Sequence, residues 1–180
     1  MIGVFHNELE SMTGELPVLY TAGYGNRGFD GFIELIRRYG VTHLVDVRAV
    51  PKSSYWEDFR RENLMDLVPA NGLKYVYMGD TLGGVRDSAV LCKDPDAVDI
   101  HPLFDDPELK KGLDALVKAI SLPDRVVCLM CGCMRPHGCH RSRLLGRSLL
   151  ERNIDLHHID ADNEVVRQSQ LDISEQLHLF

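Results

Sequence analysis

"VLYTAGYGNRGFDGFIELIRRYGVTHLVDVR" (residues 18–48) decides the fold. It opens with a short apolar run that stops at Gly23, as a strand would. Phe29, Phe32, Ile33 and Ile36 then recur at helical spacing, and Gly40 ends the helix. "VTHLVDV" (41–47) is β-branched and apolar, the composition of a strand buried on both faces. Strand, helix and strand in so short a span predict a βαβ unit, which forces the two strands parallel.

The alternation continues outward. Phe59, Leu64, Leu67 and Val68 suggest a second helix closed by "PANG", and "LKYVYM" (73–78) alternates like a strand. Leu109, Leu113, Leu116, Val117 and Ile120 form the clearest amphipathic stripe in the chain. "RVVCLMC" (125–131) reads as a buried strand, residues 139–152 as a helix with Leu144, Leu145 and Leu149 inward, and "IDLHHI" (154–159) as a last strand. The pattern predicts an α/β, three-layer, Rossmann-like domain with a mostly parallel sheet of about five strands. Its expected limits are 18–160, with a flexible arm over 1–17 and a peripheral helical segment over 161–180. The Gly- and Asp-rich stretch between the third strand and the amphipathic helix is long and aperiodic, which marks it as functional or mobile.

Composition narrows the class. The 180 residues carry 20 Lys plus Arg against 27 Asp plus Glu, a net charge of −7. That disfavours a protein that coats nucleic acid, although a local basic patch could still bind phosphate. There is no apolar run of about 18 residues to span a membrane, and the acidic start does not read as a signal peptide. A cytoplasmic protein with reduced cysteines is expected.

In a parallel sheet, ligands bind beyond the carboxyl ends of the strands. "GYGNRG" follows the first strand, "DVR" ends the second, "LGG" follows the third and "CGCMRPHGCHR" follows the fourth, so all four motifs are expected at one edge. Gly23, Gly25 and Gly28 spell G-x-G-x-x-G, with Asp46 near the place of a ribose-binding acid. Bulky Phe29 at the helix start, Tyr24 inside the turn and a chain short for a dehydrogenase weigh against dinucleotide binding. Glycines there also simply make a tight turn. Asp46 and Arg48 lie two apart, on one face of their strand. They are either an internal pair that orders the loop, or an arginine aimed at an anion and oriented by Asp46.

Four of the chain's five cysteines lie between Cys128 and Cys139. Residues three apart in a strand point to opposite faces, so Cys128 and Cys131 should diverge, which weakens the zinc reading of C-x-x-C. Cys131, Cys133 and either Cys139 or His140 could still converge around the loop. Cys128 is best read as core filler. Cys139 and His140 stand at a helix start, with Arg135, Arg141, Arg143 and Arg147 around them, where a thiolate or a bound anion would be stabilised. The C-x5-R loop of thiol phosphatases is absent, because His137 occupies the arginine's place after Cys131 and Cys139 occupies it after Cys133.

"TAGYGNRGFDGFIELI", "LVDVRAVPKSSY", "LKYVYMGDTLGG" and "LMCGCMRPHGCHR" resemble, in order, the motifs of the family catalogued as domain of unknown function 488. The resemblance spans about residues 19–159. It implies an α/β fold and singles out Asp46, Arg48, Cys131, Cys139, His140 and Arg141. The chain departs from the family pattern at Cys133, where the family has an acid, at Tyr24, often a histidine, and at Ser54, often an arginine.

Two functions follow. One is an enzyme with Cys131, Cys139 and His140 as catalytic candidates. Arg48, Arg141, Gly23, Gly83 and Gly84 would then bind a small anionic or nucleotide-like ligand, with Asp46 orienting. The other is a non-catalytic phosphate- or nucleic-acid-binding module whose cysteines hold structure or zinc. No residue is assigned as a metal ligand on this reading, and no cofactor is called for.

Overall fold

A computed structural model describes residues 18–84 and 98–177, with side chains through residue 172. The expected N-terminal arm and most of the long Gly/Asp-rich stretch lie outside the described residues. The elements are β1 (Leu19–Gly23), α1 (Gly28–Arg37), β2 (His43–Asp46), α2 (Arg61–Ala70), β3 (Lys74–Tyr77), α3 (Gly79–Leu82), α4 (Pro107–Ile120) and β4 (Val127–Cys131). A π-helical segment, Arg141–Gly146, then runs into α5 (Arg147–Leu150), followed by β5 (Leu156–Ile159), β6 (Val165–Arg167) and α6 (Gln168–Leu177). The sheet has the order β3-β2-β4-β1-β5-β6. The first five strands are parallel, and β6 runs antiparallel against β5 at the edge.

The α/β, three-layer prediction therefore holds. Two-residue alternation sorts the core. Tyr20, Ala22, Leu44, Cys128 and Met130 face α1 and α2, where Phe32, Ile36, Leu64 and Val68 are fully buried. Leu19, Val45, Leu129 and Cys131 face α4 and the 141–150 helix, where Leu113, Leu116, Leu144, Leu145 and Leu149 are sealed. Cys128 and Cys131 thus sit on opposite faces, as strand geometry requires. The aspartate at the start of α4, Asp106, caps it by accepting from the Glu108 N–H at 2.9 Å.

The chain past residue 160 is more than a peripheral helix. Val165–Arg167 extends the sheet, and Gln168 at the start of α6 is completely buried. Three residues are too short for a periodic signal, so this strand shows only once its partner β5 is in place.

Two glycines allow loops to close over the sheet edge. A Cβ at Gly23 would lie 1.7 Å from the Cys133 carbonyl oxygen, and one at Gly79 would lie 1.9 Å from the Arg48 carbonyl oxygen. In both cases the obstacle is backbone, which cannot swing aside. Gly23→Ala is expected to destabilise the protein by about 1–3 kcal/mol through forced overpacking. Chemical denaturation measures this, and an unchanged midpoint would remove Gly23 from the account of how the cysteine loop is seated.

Candidate functional site: a buried thiol pair on a sealed arginine

The loop after β4 folds back along β1. Tyr24 N–H donates to the Cys131 carbonyl at 3.0 Å and Gly25 N–H to the Gly132 carbonyl at 3.2 Å, prolonging the β1–β4 ladder past the strands. This places Cys131, at the strand's end, opposite Cys139, just before the π-helical segment. Their Sγ atoms are 3.2 Å apart, too far for a disulfide and close enough for an S–H···S hydrogen bond. Both residues are buried, and Cys128, Cys131 and Cys139 are free thiols. Cys133 differs from the expected reduced set in being disulfide-bonded.

Three groups act on Cys139. Its sulfur is 3.7 Å from Nδ1 of His140, whose Nε2 is 3.1 Å from the Val47 carbonyl oxygen. A carbonyl only accepts, so Nε2 carries a hydrogen, and Nδ1 is the ring nitrogen that faces the Cys139 sulfur. Burial by itself would push the Cys139 thiol up. The hydrogen bond from Cys131, the Arg141 guanidinium and His140 outweigh it and hold Cys139 well below the ordinary thiol range. Cys131 moves the other way, because burial and its hydrogen bond to Cys139 both favour its protonated form. Of the two, Cys139 is therefore the more acidic thiol and Cys131 the one that keeps its proton longer. Cys128, across the sheet, is pushed up to about 12 by burial.

Arg141 is fully buried, the largest side chain sealed in the fold. Its Nη1 donates to Thr21 Oγ1 at 2.9 Å and its Nη2 to the Cys133 carbonyl at 2.6 Å. Its Nε has no hydrogen-bond partner among the described residues. Burial would lower its pKa, but the Cys131 and Cys139 sulfurs raise it, so the guanidinium stays charged. A thiolate at Cys139 would be the counter-charge that Arg141 faces.

A chain of buried hydrogen bonds fixes Arg141 from behind. Gln168 Nε2 donates to Asp172 at 2.7 Å, which leaves Gln168 Oε1 to accept from His158 Nε2 at 2.8 Å. His158 Nδ1 must then accept from the Thr21 hydroxyl at 2.7 Å, and the Thr21 oxygen keeps its lone pairs for Arg141. Every link has one donor and one acceptor, all running in one direction. The missing side chain of Gly146 admits Gln168, since a Cβ there would lie 2.0 Å from Oε1. Neither Thr21 nor His158 stood out in the sequence reading. The available signal was a polar residue at an inward position of an otherwise apolar strand.

The "DVR" motif lies on the other face. Arg48 donates from Nε to Asp46 Oδ1 at 2.8 Å and from Nη2 to Oδ2 at 2.6 Å, and Tyr75 OH donates to Oδ2 at 2.9 Å. Burial opposes the Arg48 charge, but Asp46 more than restores it. Two of the three guanidinium nitrogens of Arg48 are committed to Asp46, and the third reaches Tyr24 OH at 3.4 Å. Arg48 and Arg141 are therefore both sheet-edge arginines but do not converge on one ligand. Of the candidate set, Cys131, Cys139, His140 and Arg141 come together; Asp46 and Arg48 form a separate pair.

Gly23, Gly83 and Gly84 serve close approaches of backbone and side chain: Gly23 to Cys133, Gly83 to Ala49 and Gly84 to Leu144. The G-x-G-x-x-G turn is filled. A Cβ at Gly25 would meet Met134, and Arg27 runs through the turn to the Gly23 carbonyl at 2.6 Å and the Asp160 carbonyl at 2.5 Å.

The sulfurs of Cys131, Cys133 and Cys139 lie within 4.8 Å of one another, the spacing of a three-sulfur metal site. A disulfide sulfur is a poor ligand compared with a thiolate, and a sealed guanidinium next to the cluster repels a cation.

A parallel α/β sheet with a thiol pair and a buried arginine at its carboxyl edge defines the class of protein. A family model for "Domain of unknown function DUF488" matches residues 28–147, more than half of the chain, and the chain belongs to that family. No curated protein and no solved structure matches it. No helix among the described residues is long and apolar enough to cross a membrane.

The arginine support makes two predictions. Thr21→Val strands both Arg141 Nη1 and His158 Nδ1, and should cost about 1–3 kcal/mol for each polar group left unpaired, with Thr21→Ser largely restoring stability. Equal stability for the Val and wild-type proteins in urea melts would refute the relay. The second concerns pH. Burial and then Arg141 lower the His158 pKa to about 4, from an ordinary 6.5. Between those values the unfolded chain binds a proton that the native state refuses, so stability falls as pH drops through this window and levels off below it. The loss attributable to His158 is about 3 kcal/mol. The difference in stability between wild type and His158→Gln, measured from pH 7 to pH 4, should show this one-proton slope; parallel curves would contradict it.

Proposed function

We propose that this chain is a thiol-dependent enzyme in which Cys139 is the nucleophile. The observation that carries the reading is the 3.2 Å contact between Cys131 and Cys139 above a sealed Arg141. Packing alone gives no reason to bury a thiolate and a guanidinium together. Buried charge is costly, and such perturbed groups cluster at functional sites. The substrate is a small anionic or nucleotide-like molecule with an electrophilic centre. The exposed Arg135, in the loop between Cys133 and Cys139, supports an anionic one.

In the first half-reaction the Cys139 sulfur attacks that centre. A sulfur–substrate bond forms while the bond to the leaving group breaks, and the leaving group departs with the electron pair. Cys131, which keeps its own proton, gives that proton to the leaving group as it departs. Arg141 stabilises the thiolate before attack and loses that partner as the charge moves onto the leaving group. Water then attacks the same centre; its oxygen bonds there, the bond to the Cys139 sulfur breaks with the electron pair returning to sulfur, and the water's proton passes to Cys131. Access runs through the loop at Gly132–Met134, which is half-buried.

Iodoacetamide labelling, mapped by mass spectrometry, tests this. Cys128 and Cys139 are equally buried, so a difference between them reports chemistry more than access. Cys139 is expected to label first, with a pH midpoint well below that of an ordinary thiol. Cys131→Ala should move that midpoint upward by removing the S–H donor. Labelling of Cys139 no faster than Cys128 would sink the reading. Stoichiometric zinc in the reduced protein, lost on Cys131→Ser, would favour the binding-module alternative instead.

A further inference from the structure

The loops after β1 and β2 enclose a cleft of about 600 Å³ lined by Tyr24, Gly25, Asn26 and the run Lys52–Trp56. None of the chemistry above uses Lys52, Ser54, Tyr55 or Trp56. Tyr55 is the most exposed large hydrophobic residue described, at 81%. Its ring stands edge-on to Trp56, with centroids 5.0 Å apart and planes at 84°, so the two rings make an open corner. The corner is rigid. Trp56 Nε1 donates to the Gly25 carbonyl at 3.1 Å, and Trp56 N donates to Ser53 Oγ at 3.0 Å. On the inner side the indole packs over Gly28, where a Cβ would lie 3.5 Å from the ring.

An exposed tyrosine held against a fixed tryptophan is a stacking platform waiting for a planar ring, since burying either ring would be favourable. Polar groups stand beside it. Lys52 is exposed and makes no ion pair among the described residues, while the nearest acid with a defined partner, Glu57, is taken by Arg60 at 2.8 Å. The Ser54 hydroxyl and the Asn26 amide also make no hydrogen bond among the described residues, and both line the cleft. The set of one flat aromatic corner, one cation and two neutral hydrogen-bonding groups matches a nucleobase joined to a phosphate through a sugar.

We propose that the Tyr24–Trp56 cleft is a nucleotide subsite, with the base stacked on Tyr55 and Trp56 and the phosphate against Lys52 and Ser54. The inference gives the substrate of the thiol enzyme proposed above its class and rests on that reading for its purpose. The cleft reaches the thiol pair along one strip of backbone: Tyr24 and Gly25, which line it, hydrogen-bond the carbonyls of Cys131 and Gly132. The Tyr24 hydroxyl would be 3.4 Å from a Cβ on Gly132. The same chemistry is offered by a free mononucleotide and by the terminal nucleotide of a strand.

Trp56 is the chain's only tryptophan, so its fluorescence reports this cleft alone. Titration of the full chain with adenosine 5′-monophosphate is expected to quench it saturably. Adenosine should bind more weakly, and inorganic phosphate should not quench. Tyr55→Ala should weaken the nucleotide roughly ten-fold, within the range for loss of one stacking partner, and Lys52→Ala roughly five-fold, as for one exposed charge contact. A short single-stranded oligonucleotide that binds more tightly than the mononucleotide, with steep salt dependence, assigns the site to strand ends; equal affinity assigns it to free nucleotides. No saturable quenching by either ligand, or quenching indifferent to both substitutions, overturns the proposal. Iodoacetamide labelling of Cys139 in the same variants should be unchanged, so the subsite and the nucleophile can fail separately.

Discussion

A guanidinium sealed inside a protein is the constraint on which this structure depends. Arg141 lies beneath the carboxyl edge of the sheet with no exposure to water, and every group around it is arranged to meet its charge. Thr21 and the Cys133 carbonyl take two of its nitrogens, and the Cys131 and Cys139 sulfurs favour its charged form. The cost of burying such an ion is several kcal/mol, and it is offset only when hydrogen bonds and a counter-charge are both present. The thiolate follows from the arginine as much as the arginine from the thiolate. Removing either would leave the other alone in a low-dielectric interior.

The sheet divides the sequence motifs between two environments. Strand alternation sends Asp46 toward α1 and α2 and Cys131 toward α4 and the 141–150 helix. Both motifs reach the same edge, yet they build different things. Asp46 and Arg48 satisfy each other and, with Tyr24 and Tyr75, stiffen the floor under the loop that carries Lys52–Trp56. The cysteine side holds the thiol pair and the buried Arg141. Tyr24 and Gly25 are the seam, since they touch the Arg48 side through the Tyr24 hydroxyl and the cysteine loop through backbone hydrogen bonds.

Much of this was visible in the sequence, and the exceptions have physical causes. The βαβ opening, the parallel sheet and the opposite faces of Cys128 and Cys131 follow from periods of 3.6 and 2.0, which are local properties. The convergence of Cys131, Cys139, His140 and Arg141 follows because a short loop and a helix start leave few alternatives. What sequence periodicity could not supply was the partner of each charge. Arg48 could equally have reached for a ligand or for Asp46, and only the geometry of the pair decides. The Thr21–His158–Gln168 chain joins β1 to β5 and α6, a long-range arrangement that no local pattern encodes. The G-x-G-x-x-G turn shows the converse ambiguity. Its glycines are there so that Met134 and the Cys133 carbonyl can approach, a packing demand that looks the same in sequence as a phosphate site.

The central claim is a single proton shared unequally by two buried sulfurs. The cysteine Cβ chemical shifts of isotope-labelled protein, followed residue by residue as pH is varied, test it most directly. Cys139 should already show a thiolate shift at neutral pH while Cys131 and Cys128 remain protonated well into the alkaline range. If Cys139 stays a thiol until it titrates together with the other two, Arg141 has no thiolate to face, and the account of the site is wrong.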